Sequence, residues 1–211
     1  MKIAVENLGK RFNREWIFRN LTATFESGQV FAIVGPNGSG KSTLLQILWG
    51  QLPPSAGTIR YTTNKGSVAA EDVYQQLVIA TPYMELIEEF TLREMVDFHF
   101  RFKTRIDNLT TDAMLARMEL EHAADKYIRQ FSSGMRQRLK LALAFYSDVE
   151  VIFLDEPTTN LDQKATDWYL KNLESVTKKL VFIASNQSHE YPASAQKLSI
   201  MDYKARVTTQ R

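Results

Sequence analysis

Hydrophobic and polar positions along the chain predict two kinds of β-strand. Two segments near the amino terminus alternate loosely between apolar and polar residues, as strands with one wet face do, and we expect them to be antiparallel. Other runs are continuously apolar, which is typical of strands buried on both faces of a parallel sheet. The alternating segments are 2–8 and 20–26, and the apolar runs are 30–34, 76–81, 149–154 and 180–184.

Helical spacing of apolar positions separates these strands. Thr91 and Glu94 have the Thr-x-x-Glu spacing of a capping box, which places a helix start in the middle of the chain. Weaker signals predict an edge strand at 58–62 and a last strand at 198–202. Helices are predicted near 41–49, 111–121, 134–146 and 161–175.

This order of elements predicts one domain with an insertion. Strands alternate with helices at both ends of the chain, whereas the middle is helical. Such a pattern favours a parallel α/β core, built from 1–84 and 146–211, that carries a helical insertion at 85–145.

The amino-acid composition excludes several kinds of site and function. The 211 residues include no cysteine, which excludes a disulfide framework, a thiolate metal site and a cysteine nucleophile. Lys plus Arg is 26 and Asp plus Glu is 24, so a net charge of +2 gives no reason to expect nucleic-acid binding. We also expect no membrane-spanning helix, because no apolar run approaches 18 residues.

A glycine-rich loop between a buried strand and a helix is the strongest chemical signal. It fits the pattern G-x-x-x-x-G-K-[ST], in which backbone N–H groups and a helix start cradle the phosphates of a nucleotide. Lys41 is expected to reach the β- and γ-phosphates, and the Ser42 hydroxyl to ligate Mg²⁺. The loop comprises Gly35, Pro36, Asn37, Gly38, Ser39, Gly40, Lys41, Ser42 and Thr43.

Two carboxylates follow the apolar run at 149–154. In open α/β sheets, ligands bind outside the carboxyl ends of the strands. Asp155 is therefore a candidate to hold Mg²⁺, directly or through water, and Glu156 is a candidate to orient or activate an attacking water.

Phe131, Ser132, Ser133, Gly134 and Met135 begin a segment that resembles the signature motif of ABC ATPases, whose common form is Leu-Ser-Gly-Gly-Gln. The resemblance covers nearly the whole chain. It implies a single domain over 1–211, with a P-loop NTPase (RecA-like) core, an N-terminal antiparallel β subdomain and an inserted helical subdomain that carries the signature.

Further positions match the family. Pro157 to Asp162 resembles its D-loop, with Asp162 as the acidic residue. Phe12 stands 23 residues before Gly35, where the family has an adenine-stacking aromatic residue, and Trp16 is its rival. The resemblance implies two copies closed head to tail over two ATP molecules, so that Ser132, Ser133 and Gly134 of one chain complete the other chain's site.

Two positions depart from the family. The family's glutamine at the strand end that enters the insertion falls nearest Tyr83, and a phenol is a poor replacement for a metal-facing carboxamide. Asn186 stands where the family has a histidine after the last core strand, although His189 lies close by. Because Asn donates a hydrogen bond but takes no proton, we expect intact ATP binding and slow hydrolysis.

The resemblance implies an ATP-hydrolysing subunit of an ABC transporter, at the inner face of the membrane. Its partners are expected to be a separate transmembrane permease and a second ATPase subunit, either identical or related, with ATP and Mg²⁺ as ligands. The signature favours an exporter. The alternatives are an ABC ATPase that acts on ribosomes or DNA, and a module that closes on ATP but scarcely hydrolyses it.

Overall fold

Two sheets organise the molecule, for which a computed structural model describes residues 1–204. Four strands form an antiparallel sheet in the order β2-β1-β4-β5, and five form a parallel sheet in the order β6-β7-β8-β3-β9. The strands are β1 (Lys2–Phe12), β2 (Glu15–Glu26), β3 (Val30–Val34), β4 (Ala56–Thr63), β5 (Gly66–Val68), β6 (Leu77–Ala80), β7 (Val151–Asp155), β8 (Leu180–Ala184) and β9 (Gln196–Ser199).

The antiparallel sheet contains longer strands than the sequence predicts. β1 and β2 pair along their length, but their register shifts three times between Val5 and Arg11. Such bulges shift side chains between the two faces, which explains the loose alternation of the sequence. The expectation that 58–62 forms an edge strand is wrong, because β4 pairs with β1 on one side and with β5 on the other.

The parallel sheet agrees with the four apolar runs. β3 and β8 have the predicted bounds, whereas β7 begins at Val151, two residues later than expected. The register joins Ile33 to Ala184 and Ala184 to Asp155. These three strands therefore end level with one another, and the segments that follow them meet at one edge of the sheet.

Five α-helices surround the sheets in the described part of the chain. The predicted capping box is present, since Thr91 Oγ1 accepts a bond from the Glu94 amide at 3.2 Å and Glu94 Oε2 accepts one from the Thr91 amide at 2.8 Å. The helix predicted at 111–121 is shorter, because Glu119 adopts a left-handed conformation (φ 57°). The helices are α1 (Lys41–Leu48), α2 (Leu92–His99), α3 (Thr111–Arg117), α4 (Ser133–Phe145) and α5 (Gln163–Ser175).

Each central strand supplies two hydrophobic cores. On β3, Ala32 belongs to the cluster that includes residues of α2–α4, while Phe31 and Ile33 belong to the cluster beneath the antiparallel sheet. Phe153 and Phe182 stack in this second cluster with ring centroids 4.9 Å apart. A strand that is buried on both faces needs no polar alternation, which is why these runs read as continuously apolar.

The predicted insertion, 85–145, contains α2, α3 and α4 joined by short 3₁₀ turns. Its description as a separate helical subdomain remains a prediction. The last strand ends at Ser199, and the chain continues as a 3₁₀ turn (Ile200–Tyr203) rather than as the strand predicted at 198–202. Among residues 1–204, no helix has both the length and the apolarity to cross a membrane.

Candidate functional site

Three strand ends bring the predicted chemical groups together. The glycine-rich loop follows β3, Asp155 ends β7 with Glu156 directly after it, and Asn186 follows β8. Backbone hydrogen bonds extend this alignment past the strands, from the Glu156 amide to the Ala184 oxygen at 2.9 Å and from the Ser185 amide to the Ile33 oxygen at 3.1 Å. The loop and both acidic residues therefore occupy one edge of the sheet.

The glycine-rich loop has the backbone conformation that a phosphate cradle requires. Gly38 and Gly40 have φ values of 72° and 108°, which side chains with a Cβ rarely adopt. A Cβ at Gly40 would also lie 2.4 Å from Ile17 Cγ2. α1 begins after Gly40 with no side-chain cap, so its first-turn N–H groups are directed at whatever anion the loop receives.

Lys41 is enclosed by its own loop. Its side chain is 5% exposed, and Nζ donates to the Gly35 oxygen at 2.9 Å and to the Pro36 oxygen at 3.3 Å. Ser39 is also buried, and its Oγ has no hydrogen-bond partner among residues 1–204. A buried ammonium and a buried hydroxyl without a partner fit a loop whose ligands include an anion.

Asp155 is the most deeply buried carboxylate at the predicted metal position. It is 2% exposed, and within the described chain its Oδ1 has no hydrogen-bond partner. Burial raises the pKa of the Asp155 carboxyl, the Ser42 hydroxyl opposes that rise by a hydrogen bond, and Glu156 adds to it by charge repulsion. A cation beside Oδ1 would remove the cost of burying this group.

Glu156 lies in a tight turn. Its φ of 45° is in the left-handed region, and the Thr159 amide closes the turn on the Glu156 oxygen at 3.2 Å. Across the same edge, Asn186 Nδ2 donates to Asn37 Oδ1 and so joins the end of β8 to the phosphate loop. The two residues thus reach the site from neighbouring strands.

The signature and D-loop residues act as helix caps within the chain. Ser132 Oγ accepts a bond from the Met135 amide at 3.2 Å at the start of α4, and Asp162 Oδ1 accepts one from the Ala165 amide at 2.7 Å at the start of α5. A Cβ at Gly134 would lie 3.0 Å from the Asn160 oxygen, so the two segments are in close contact. The predicted roles of Ser132, Ser133, Gly134 and Asp162 toward a second chain's nucleotide remain predictions.

Phe12 is the better placed of the two aromatic candidates. Its ring is 48% exposed at the end of β1, with one ammonium, that of Lys10, 5.2 Å from the ring centroid. The Trp16 ring has two guanidinium groups over it, those of Arg11 and Arg19 at 5.7 and 5.0 Å. The stacking of Phe12 on an adenine base remains a prediction.

The loop that lacks the family's glutamine is held by a lysine that the sequence analysis missed. Tyr83 is 84% exposed, and it lines a cleft of about 560 Å³ together with Thr81 and Asp155. Lys140 of α4 is buried, and its Nζ donates to the Thr81 oxygen at 3.3 Å and to the Pro82 oxygen at 2.9 Å. Burial lowers the pKa of the Lys140 ammonium.

Two other buried polar residues escaped the sequence analysis. Gln137 Nε2 donates to the Pro157 oxygen at 2.8 Å, and Glu190 accepts two hydrogen bonds from Thr158. Gln137 and Lys140 stand at i and i+3 on α4, a polar pair that interrupts an otherwise apolar inner face, and this spacing could have indicated them.

Comparison with known proteins agrees with this geometry. The sequence model of the ABC transporter family matches residues 18–159, which is more than half of the chain. The Nod factor export ATP-binding protein I of Burkholderia lata is 30% identical over 95% of this chain and 67% of that protein. Its counterpart from Sinorhizobium fredii is 29% identical over 99% of this chain but only 62% of that protein.

An import protein is almost equally similar. The petrobactin import ATP-binding protein YclP of Bacillus subtilis is 29% identical over 84% of this chain and 73% of that protein. The chain thus spans about two thirds of the length of its export relatives and somewhat more of this one.

Solved structures share the fold. An ABC transporter ATP-binding protein from Pyrococcus furiosus superposes with a TM-score of 0.80 at 20% identity, covering 97% of this chain and all of that one. A bacterial Atm1-family ABC exporter with ATP bound has a TM-score of 0.77 at 18% identity, over 94% of this chain and 37% of that one. With the family match, the relatives and this fold in agreement, the chain belongs to the ABC transporter family, as one of its ATP-binding subunits.

Proposed function

We propose that the chain hydrolyses ATP at the edge where β3, β7 and β8 end. The alignment of Ile33, Ala184 and Asp155 in one row of the parallel sheet carries this proposal, because it brings the phosphate loop and the acidic pair to one place. Membership of an ATP-binding family supports the reaction class, and the left-handed turn at Glu156 supports a fixed direction for its carboxylate.

Asp155 and Ser42 are the residues that would hold Mg²⁺. The buried Asp155 carboxylate has an oxygen without a protein partner in residues 1–204, and the Ser42 hydroxyl lies close enough to lower the pKa of this carboxyl. Carboxylate and hydroxyl oxygens suit a hard cation of this size. When bound, the ion supplies charge neutralisation for the phosphate oxygens.

The remaining residues bind and orient. Lys41 Nζ exchanges its carbonyl partners for phosphate oxygens, and the first-turn N–H groups of α1 donate to the same anion. Glu156 orients the attacking water and accepts its proton as the water oxygen bonds to the γ-phosphorus. The bond from the γ-phosphorus to the β–γ bridging oxygen breaks in the same displacement, and ADP leaves. Asn186 donates a hydrogen bond to the γ-phosphate, and Phe12 stacks on the base.

The active form in this proposal is a head-to-tail dimer. Ser132, Ser133 and Gly134 begin α4, whose first-turn N–H groups suit a phosphate of the opposite chain. The Asn160 oxygen lies against Gly134, so the loop after Glu156 is in contact with this helix start. When two chains close on ATP, the start of α4 and the loop after Glu156 therefore move together.

The dimer drives a separate transmembrane chain at the inner face of the membrane, in the export direction. The names of relatives support a transport role, and the export names among them support the direction, although the petrobactin import protein is nearly as similar. A second candidate is a module that closes on ATP and scarcely hydrolyses it, which the Asn186–Asn37 hydrogen bond and the exposed Tyr83 favour.

Glu156→Gln tests the hydrolysis proposal, and turnover of the unaltered protein separates it from the binding module. The variant keeps the shape of the side chain but loses the base, so we expect ATP binding to persist while turnover falls at least about a hundredfold. Turnover is measured by phosphate release with Mg-ATP, and dimerisation by light scattering. Undiminished turnover in Glu156→Gln contradicts the assignment of Glu156, whereas negligible turnover in the unaltered protein favours the binding module.

A further inference from the structure

A buried carboxylate from a distant segment holds the turn that follows β7. Glu190 ends the 3₁₀ turn Ser188–Glu190 and is 1% exposed. Its Oε1 accepts a hydrogen bond from the Thr158 amide at 2.9 Å and another from the Thr158 hydroxyl. A desolvated carboxylate is a strong acceptor, so this contact resists movement of the turn more than a neutral pair would.

The turn contains a conformation that needs such support. Glu156 is left-handed at φ 45°, which is unfavourable for a residue with a Cβ and persists where the surrounding structure imposes it. One anchor is the bond from the Glu156 amide to the Ala184 oxygen, and the other is Thr158 on Glu190, two residues later. The two anchors bracket Glu156 and fix the direction in which its side chain leaves the backbone.

Glu190 is itself fixed by the hydrophobic core. The Tyr169 hydroxyl donates to the Glu190 backbone oxygen at 2.7 Å, and Tyr169 is fully buried on α5. Burial raises the pKa of the Tyr169 phenol, which therefore stays protonated and able to donate. The acceptor for Thr158 is thus set in place by the fold and does not depend on a ligand.

We propose that Glu190 is a positioning residue for Glu156. Through Thr158, it holds the turn in the conformation that directs the Glu156 carboxylate toward the phosphate loop, and it also links the segment that carries Asn186 to the loop that carries Glu156. This inference rests on the proposed hydrolysis. A displacement of about 1 Å in such a group is enough to cost up to a hundredfold in rate.

Three variants test the inference. Glu190→Ala removes the acceptor, Thr158→Val removes the hydroxyl but keeps the amide, and Glu190→Gln keeps an oxygen that accepts both bonds. We expect Glu190→Ala to lower kcat about tenfold or more with the KM for ATP within about twofold, and Glu190→Gln to restore kcat to within about threefold of the unaltered protein. Thr158→Val is expected to fall between them.

Two further measurements separate positioning from loss of structure. Rates are expressed per nucleotide-binding site, titrated with a fluorescent ATP analogue. Leu173→Ala serves as a control because it opens a cavity under α5 and removes none of the hydrogen bonds that hold the turn. In nucleotide-free protein, the Thr158 amide is expected to exchange its hydrogen faster in Glu190→Ala than in Glu190→Gln, since only the latter retains the acceptor.

The outcomes are distinguishable. Unchanged kcat per site in Glu190→Ala and Thr158→Val overturns the inference, as does a Glu190→Gln variant as slow as Glu190→Ala or a Leu173→Ala control that is equally slow. If Glu190→Ala yields no folded protein, Thr158→Val decides by the same criterion. Absent turnover in the unaltered protein overturns the proposed function and this inference together, whereas normal turnover in the unaltered protein and in every variant overturns the inference alone.

Discussion

Asn186 joins the end of β8 to the phosphate loop, because its side-chain amide donates a hydrogen bond to the Asn37 oxygen. The same donor can bond to a γ-phosphate oxygen when one is present, but an amide takes no proton at neutral pH. The residue is therefore suited to sensing or holding the phosphate, and the proposed mechanism leaves proton transfer to Glu156.

Asn186→Ala tests this role. Loss of one donor to a charged oxygen is expected to reduce turnover about tenfold, with ATP affinity changed only a few fold. Phosphate release and nucleotide titration give the two quantities, and the exposed neighbour Gln187→Ala is the matched control. Equal turnover in Asn186→Ala and the unaltered protein would disprove the phosphate contact.

His99, which lies outside the candidate nucleotide site, makes the free energy of unfolding depend on pH. Its Nε2 lies 3.0 Å from Ser147 Oγ, and burial, with a smaller effect of the Lys103 ammonium, lowers the pKa of His99 to about 4. The unfolded chain holds this proton more tightly, since an exposed histidine has a pKa of about 6.5. Neutral His99 therefore makes its full contribution to the free energy of unfolding above pH 6.5. As the pH falls toward 4, the free energy of unfolding decreases by about 3 kcal/mol.

His99→Gln is expected to flatten this acid limb. The free energy of unfolding, measured in urea at pH 7.5 and at intervals down to 4.5, should fall less steeply in this variant than in the unaltered chain. His122→Gln, at an exposed position, should keep the original slope. Identical slopes for His99→Gln and the unaltered protein would contradict the assigned shift.

At the scale of elements, side chains of α4 form hydrogen bonds with the loops that follow two strands. Gln137 donates to the loop after β7 and Lys140 to the loop after β6, so one helix face fixes the positions of both. Because the same helix begins at the signature residues, its placement also sets where Ser132 and Gly134 lie.

Lys140→Met removes the hydrogen bonds between α4 and the loop after β6. It leaves the Thr81 and Pro82 oxygens without their donor, and we expect a loss of about 1–3 kcal/mol in the free energy of unfolding. Urea denaturation measures it, with the exposed Lys178→Met as control. Lys140→Arg, which keeps a cationic donor, should recover part of the loss. A Lys140→Met protein as stable as its control would rule out a stabilising role for these hydrogen bonds.

The elements that could be predicted share a simple pattern. β3 and β8 were predicted to the residue, because strands buried on both faces are apolar throughout and end at glycine or polar residues. β1 and β2 were predicted too short, since their bulges break the period of two on which the interpretation depends.

Site residues that stand in local sequence motifs could be predicted, whereas residues that contact distant segments could not. Lys41, Ser42, Asp155 and Glu156 stand in local patterns whose spacing carries the chemistry, and the fold brings them to one edge. Glu190 and Lys140 act on backbone atoms more than thirty residues away, at Thr158 and Thr81, and no spacing rule connects such pairs. Only the folded arrangement identifies these partners, although the polar spacing on α4 could have singled out Lys140 itself.

At the scale of the whole molecule, the chain carries at different places the two segments that would form the halves of one site in the proposed dimer. The phosphate loop and acidic pair lie at the edge of the parallel sheet, whereas the signature residues begin α4. In the proposed head-to-tail dimer, each chain lends its α4 start to the other, so ATP binding and closure are one event. Closure of the dimer would then move the transmembrane partner bound to it.

The most direct test of this account traps the closed dimer and identifies what it drives. Tagged Glu156→Gln protein is used for pull-down from detergent-solubilised native membranes in Mg-ATP, and the captured proteins are identified and quantified by mass spectrometry. The account predicts one polytopic membrane protein in stoichiometric amount, and its loss when ATP is omitted or when Lys41→Ala is added. Recovery of soluble proteins, ribosomes or DNA in its place would contradict the transporter assignment.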